Sequence, residues 1–401
     1  MTPERQATEF VLALGRALAK YGAPAHRLEE ALGRASRHFD LDGEFFSAPT
    51  SIMATFRIGE TTQTNVLRVH GSEVDLTKLI ELDRLVGELS SDVDPAQARE
   101  RVRSIDDAPV PYRRSMTILS YGLVSASAGR FFGGGVAEIA VAGGIGLLVG
   151  VMATVMGRSP AGARAFDLVA AFTATMIAGA MHRFGVSIAP FVVTLAGLIV
   201  LIPGLTLTTA LAEIATRNLV SGSARLTAAT VVFLQLIFGV ALGTRVQALL
   251  WEVPGPVTPE ALPQWTFVFF LFVACVGLVV LFRAPVRTAP VILFAASVGL
   301  LGARIGGEAL GGEIGIFVGA YLVCLSGNIY ARVASRPAVV LIVPGLLLLV
   351  PGSVGMRSLS QLLAEDPLGG VTSAFATLLA AVSIVAGLLM ANITVPPKRA
   401  L

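Results

Sequence analysis

The chain has 401 residues, 54% of them hydrophobic and only 14% charged, with a formal net charge of +3. Its mean hydropathy is +0.75, whereas a soluble domain of this size carries about a quarter charged residues, so composition excludes an ordinary soluble enzyme. The charge is also segregated: 33 of the 57 charged side chains lie in the first 114 residues. The basic excess comes from the apolar remainder, where 15 basic residues face 9 acidic ones. Lys and Arg in loops flanking membrane helices account for that excess without a nucleic-acid partner. The division expected is a head at 1–114 and a membrane body in two units, 115–250 and 251–401.

The head opens with a helix over 8–20, where Phe10, Val11, Leu14, Leu18 and Tyr21 recur at helical spacing and Gly22 stops it. That helix carries Glu9, Arg16 and Lys20 and no apolar stretch before a cleavage site, the expectation for a head that stays in the cytoplasm. Pro24 starts a second helix with Leu28, Leu32, Ala35 and Phe39 on one face. Strands are expected over 51–58 and 64–70, with residues 59–62 as the turn. Two further helices follow, one carrying Leu76, Leu79, Leu82 and Leu85, the other opening at Asp94-Pro95. This is a small α+β domain of about a hundred residues, enough to bury a modest core. His26, His38 and His70 lack metal-ligand spacing and read as structural or solvated, and no metal or other cofactor is expected. The face of the second helix bearing His26, Arg27 and Glu30 is free to touch the membrane body instead.

Beyond residue 114, apolar segments recur at 115–131, 136–156, 165–183, 187–216, 223–250, 264–282, 289–305, 313–331, 338–363 and 369–393. A bilayer core of about 30 Å takes about 20 helical residues, so about ten transmembrane helices are expected and the fold is a mostly α, polytopic membrane protein. Arg113-Arg114, Arg158 with Arg164, Arg217 with Arg225, Arg283 with Arg287, Arg332 with Arg336 and Lys398-Arg399 fall on one side, which is then inside. An even number of spans puts both termini there. Cys275 and Cys324 sit in apolar runs too far apart in sequence to suggest a disulfide framework or metal motif. The glycine-rich run 131–146 reads as close helix packing, and no nucleotide-binding loop is present. The spacings Gly311 to Gly315 and Gly315 to Gly319 suit either a subunit contact, hence a homo-oligomer, or packing within the chain.

An internal repeat is the most informative feature. At an offset of 148, Gly197 aligns with Gly345, Pro203 with Pro351, Gly204 with Gly352 and Gly239 with Gly387. Five helices per unit would place the second copy upside down, an inverted repeat of the kind common among secondary transporters. Both Pro-Gly pairs interrupt a membrane helix, because proline removes an N–H and clashes with the preceding turn. Freed backbone groups are tolerated in a bilayer only where protein or water satisfies them, so paired breaks point to a substrate site. The candidates are Pro203, Gly204, Thr206, Thr208, Thr209, Asn328, Pro351, Gly352, Ser353 and Arg357. Arg357 and a carboxylate on opposed broken helices suit an amino-acid zwitterion. Glu213 and Asp167 are the proton-coupling candidates, since intramembrane carboxylates are costly. Glu213 also reads as an interfacial residue, and Asp167 as a cap of the third membrane helix.

The runs YGAPAHRLEEALGRASRHFDL, LIPGLTLTTALAEIATRNLVSGSARLTAA and VPGLLLLVPGSVGMRSLSQLL resemble the threonine/serine exporter family, over nearly the full length. The resemblance implies a cytoplasmic head, two fused five-helix units in a bacterial inner membrane, and proton-driven efflux of threonine and serine by a secondary exporter. Relatives split at the repeat boundary are associated with succinate, so export of small dicarboxylates is the alternative. A passive channel, or a hydrolase-type head on a membrane anchor, are the remaining readings. The head shows no nucleophile–base set, and no enzyme activity is expected of it.

Overall fold

The computed structural model describes residues 3–69, 73–89, 93–252, 255, 257–334, 336–349 and 367–397. The N-terminal part holds α1 (Pro3–Lys20), α2 (Ala25–His38), β1 (Asp42–Ala48), β2 (Ser51–Ile58), β3 (Thr61–Arg68), α3 (Leu76–Gly87) and α4 (Pro95–Asp107). Gly22 ends α1 with φ +87. The Ala23 N–H reaches back to the Leu18 carbonyl at 3.0 Å and the Gly22 N–H to that of Ala19 at 3.3 Å, so the last carbonyls of the helix are satisfied by a Schellman turn. Asp75 caps α3 by accepting from the Lys78 N–H at 3.0 Å.

The three strands form an antiparallel sheet in the order β1-β2-β3. Its inner face packs Ile52, Ala54 and Phe56 against Phe10, Leu14, Leu28 and Leu32. β1 is absent from the sequence expectation because Asp42, Gly43 and Glu44 give it little apolar alternation. Thr61 and Thr62 belong to β3, since Ile58 pairs directly with Thr61 and only Gly59 and Glu60 remain as the turn. Gly59 supplies a φ of +60 there.

The apolar body comprises α5 (Arg114–Phe131), α6 (Val136–Met156), α7 (Pro160–Arg183), α8 (Pro190–Gly197), α9 (Gly204–Ala215), α10 (Leu219–Leu250) and α11 (Trp265–Leu281). A 3-10 turn at Val286–Thr288 leads into α12 (Ala289–Leu310), followed by α13 (Gly312–Val333), α14 (Val339–Leu347) and α15 (Pro367–Thr394). Among the described residues, six helices are long and apolar enough to cross a membrane: α6, α7, α10, α12 with its leading turn, α13 and α15. The helices α9 and α11 are apolar but shorter. Large apolar side chains face outward, as Val231, Leu234, Phe238 and Leu242 do along one stripe of α10, and Val268, Phe269, Phe272 and Val276 on α11. Polar groups such as Ser125, Glu138, Glu213 and Asn328 are buried. That inversion of the soluble pattern suits a lipid surround, and the chain is a multi-pass membrane protein.

Displaced by 148 residues, the bounds of α5, α6, α7, α8 and α10 fall within six residues of those of α11, α12, α13, α14 and α15. Packing corresponds as well: α7 lies on α10 as α13 lies on α15, and α8 touches α6 and α7 as α14 touches α12 and α13. The offset pair Gly239 and Gly387 sits at equivalent crossings. A Cβ at Gly239 would stand 2.5 Å from the Leu168 carbonyl oxygen, and one at Gly387 2.7 Å from the Tyr321 nitrogen. Gly315 and Gly319 are consumed internally, with any Cβ there 2.4 Å from the Ala303 oxygen and 2.6 Å from the Gly299 oxygen. The spacing therefore serves α12–α13 packing. Gly143 and Gly146, from the glycine-rich run, close in the same way on Ala126 and Ser125 of α5. Both cysteines are free and buried.

Candidate functional site

The fourth expected span, 187–216, is two helices. α8 ends at Gly197 and α9 begins at Gly204, with Pro203 as the residue before the second helix. Turn hydrogen bonds satisfy part of the intervening backbone: the Leu201 N–H donates to the Leu198 carbonyl at 2.8 Å and the Gly204 N–H to that of Ile202 at 2.8 Å. The Gly197 carbonyl, at the end of α8, accepts from the Ser125 hydroxyl of α5 at 3.3 Å. Ser125 is wholly buried and escaped the sequence reading. Its signal was available: α5 carries four serines and two arginines within an otherwise apolar segment.

Of the threonines beyond the break, Thr208 is buried and donates back to the Gly204 carbonyl at 3.1 Å. Thr206 and Thr209 are half-buried. Thr206, Thr209 and Glu213 lie three and four residues apart, hence on one face of α9. α9 itself packs against α14 and α15 of the other half of the body.

Glu213 is fully buried and both its oxygens are engaged. Oε2 accepts from the Ser221 hydroxyl at 2.7 Å and from Arg225 Nε at 3.1 Å. Oε1 accepts from the backbone N–H of Ala25, the first residue of α2, at 2.9 Å. Pro24 offers that helix no side-chain cap, so a carboxylate 188 residues away does the capping. Glu213 thus ties the head to the body, a partnership invisible in a one-dimensional reading. Ser221, Arg225 and Ala25 join the site for the same reason.

The other candidates disperse. Asp167 is half-buried in the second turn of α7, while the cap of that helix is Ser159, whose hydroxyl accepts from the Gly162 N–H at 3.0 Å. Asn328 is fully buried on α13, donating through Nδ2 to Asn392 Oδ1 and to the Val395 carbonyl, each at 2.9 Å, while its Oδ1 has no partner. On the first half, Gln247 of α10 bridges similarly to the Thr175 carbonyl of α7 at 2.6 Å. Pro351, Gly352, Ser353 and Arg357 lie outside the described residues, so their relation to the first break is not among the observed contacts.

Further docking bonds gather where the head meets the body. The Leu76 N–H donates to the Phe282 carbonyl at 2.9 Å and the Thr77 N–H to that of Arg283 at 3.2 Å. The Arg283 guanidinium pairs with Glu73 at 2.5 Å and with Asp75 at 3.7 Å. Arg283, Arg225, Arg287 and Arg336 all lie on this head side, the last two beside Glu81 and Asp83 of α3. At the opposite ends of the helices, Glu138 accepts from the Gly135 and Ala189 N–H groups at 2.9 and 3.0 Å. There Arg130 donates to Thr266 at 2.7 Å and to the Leu262 and Pro263 carbonyls at 3.4 Å. Among the described residues no cluster of three or more metal-ligating side chains occurs.

A family model of a threonine/serine exporter matches residues 9–247, and a second, described as Threonine/Serine exporter, matches residues 267–394. Relatives include membrane proteins of yeasts called pheromone-regulated membrane protein 10. That of Debaryomyces hansenii is 29% identical over 88% of this chain and 36% of its own length. That of Eremothecium gossypii is 27% identical over 88% of this chain and 49% of its own length. The chain therefore spans about a third to a half of these curated relatives. No solved structure matches it. With family models covering both the head and the two halves of the helical body, the chain belongs to the threonine/serine exporter family.

Proposed function

We propose that this protein is a secondary exporter of threonine and serine, driven by the proton gradient across a bacterial inner membrane, with both termini cytoplasmic. In this reading ten spans form two five-helix units, 115–250 and 251–401, related by an inverted repeat, and the head at 1–114 faces the cytoplasm. The corresponding order and packing of α5–α8 with α11–α14, and of α10 with α15, support the repeat. The gathering of basic loop residues on the head side supports the orientation.

The observation that carries the site is the break between α8 and α9. In this reading it places the N-terminal end of α9, a region of positive potential, in mid-span. A substrate carboxylate would meet Gly204 and the hydroxyls of Thr206, Thr208 and Thr209, with Pro203 holding the break open. The equivalent break at Pro351, Gly352 and Ser353, with Arg357, would complete the pocket, and Asn328 would contribute its amide. Alternating access would proceed by motion of the two broken helices against the remainder. Protonation of Glu213 would release its pair with Arg225, and Asp167 would relay the proton. The head adds no chemistry in this scheme, and the protein is a transporter and not an enzyme.

The test is uptake of labelled threonine, serine and succinate into inverted vesicles with and without a proton gradient, for the parent and for Glu213→Gln and Pro203→Ala. Gradient-dependent accumulation of threonine or serine that falls at least tenfold in both variants is the expected result. Accumulation of succinate alone would move the chain to dicarboxylates. Equilibration without accumulation would make it a channel.

A further inference from the structure

We infer that the first turn of α2 is a latch that holds the head-side mouth of the membrane body closed by hydrogen-bonding Glu213 of the broken helix. The inference rests on the transporter reading for its purpose, though its geometry stands apart from any cargo. α9 is the half-helix that begins at the break and packs on both α14 and α15, so whatever fixes it fixes the approach of the two halves. Its C-terminal turn is held from outside the body by the Ala25 N–H at 2.9 Å, and both residues are buried, at 1% and 0% exposure. An amide at a helix start carries the positive end of the helix dipole, and a charge-assisted bond of this kind in a water-excluded site is among the stronger ones.

The neighbours of Ala25 extend the latch. Arg27, in the same first turn, is 12% exposed, pairs with Glu30 at 3.6 Å, and acts electrostatically on the thiol of Cys324 on α13. Cys324 is itself 0% exposed. The first turn of α2 is therefore bonded to α9 in one half of the body and carries the Arg27 charge toward α13 in the other. Glu29 faces the same locus, close enough to Glu213 for the two charges to repel, while its Oε1 accepts from the Ser47 N–H at 2.8 Å. A second anchor, Thr77 Oγ1 donating to the Arg283 carbonyl at 2.5 Å, lies on α3. The bond to Glu213 is made by backbone, so no side-chain exchange at position 25 removes it, with one exception: proline.

Ala25→Pro is the discriminating variant. Position 25 is the first residue of its helix, where proline is well tolerated, and Pro24 already has the extended ψ of 149° that a following proline requires. The helix survives, the donor is lost and the ring occupies the place of the hydrogen. Ala25→Gly keeps the N–H and is the control. The readout is the rate of alkylation of Cys324 by a water-soluble maleimide in the purified full chain, followed by peptide mass spectrometry, with Cys275 on α11 as an internal measure of folding. Losing one charge-assisted bond shifts an equilibrium about tenfold or more. Cys324 is expected to react about tenfold faster in Ala25→Pro and at the parent rate in Ala25→Gly, with Cys275 unchanged in both. Equal Cys324 rates in the proline and glycine variants would overturn the latch. If Ala25→Pro accelerates both cysteines, Thr77→Val, which removes only the Thr77 hydroxyl bond, is scored by the same measure, and an unchanged Cys324 rate there overturns it. Threonine uptake is measured in parallel. Its absence from every variant beside a changed Cys324 rate removes the cargo reading and leaves the latch.

Discussion

His26 shows what burial asks of a single residue. It follows Ala25 on α2, and its Nδ1 is buried without a partner. Burial, and secondarily the neighbouring Arg27 charge, push its pKa from the ordinary 6.5 down to about 4. A histidine depressed in the folded state opposes its own protonation. Its contribution to stability is intact above pH 6.5 and is lost as pH falls from there toward 4. The loss is on the order of 3 kcal/mol if the full shift applies. His26→Leu should flatten the decline of the thermal midpoint of the full chain between pH 6.5 and 4 relative to the parent. Parallel pH curves for the two proteins would show that His26 is solvated in the resting state. The imidazole was legible in the sequence only as a histidine without ligand spacing. Its burial depends on what packs over the start of α2, which no local pattern encodes.

At the scale of elements, two glycines 148 residues apart both lie at close helix crossings. Gly239 and Gly387 occupy equivalent crossings, α10 on α7 and α15 on α13, each with backbone atoms nearer than 3 Å to a would-be Cβ. Gly239→Leu and Gly387→Leu should each cost about 1–3 kcal/mol through forced separation of a helix pair, read as a lowered thermal midpoint in detergent. A loss at one position only would mean that the two crossings are not equivalent in energy. Helix positions were legible because membrane helices announce themselves through length and apolar content. The start of α7 at Pro160, five residues before the expected one, was missed because Arg164 and Asp167 interrupt the apolar run. Strand β1 was missed for a related reason, since its exposed positions hold Asp42, Glu44 and Phe46 without a clean polar–apolar alternation. Of the candidate site, the break at Pro203-Gly204 was readable because proline acts locally. The partners of Glu213 were not, because Ala25 contributes only a backbone amide and a backbone amide leaves no trace in sequence.

Across the whole molecule, the two halves meet over a narrower surface than the helices within each half share, chiefly where α11 lies on α5 and where α9 lies on α14 and α15. α11 packs along α5, where Gly277 admits Val124 and the Phe131 and Phe267 rings stand 4.9 Å apart. Arg130 is 9% exposed and spends its guanidinium on Thr266 and two carbonyls of the second half. Such a junction does not need covalent continuity: hydrogen bonds and close packing, rather than hydrophobic expulsion, hold membrane helices together. Residues 1–257 and 258–401, expressed as separate chains with a tag on one, are therefore expected to copurify and to restore whatever transport the intact chain performs. Arg130→Ala strips a charged donor from three acceptors at that seam and should reduce the copurified fraction severalfold while leaving the intact chain folded. Recovery of the tagged half alone would mean that the connection at 251–264 is structural, and that the two halves are a single folding unit despite their matching order of helices.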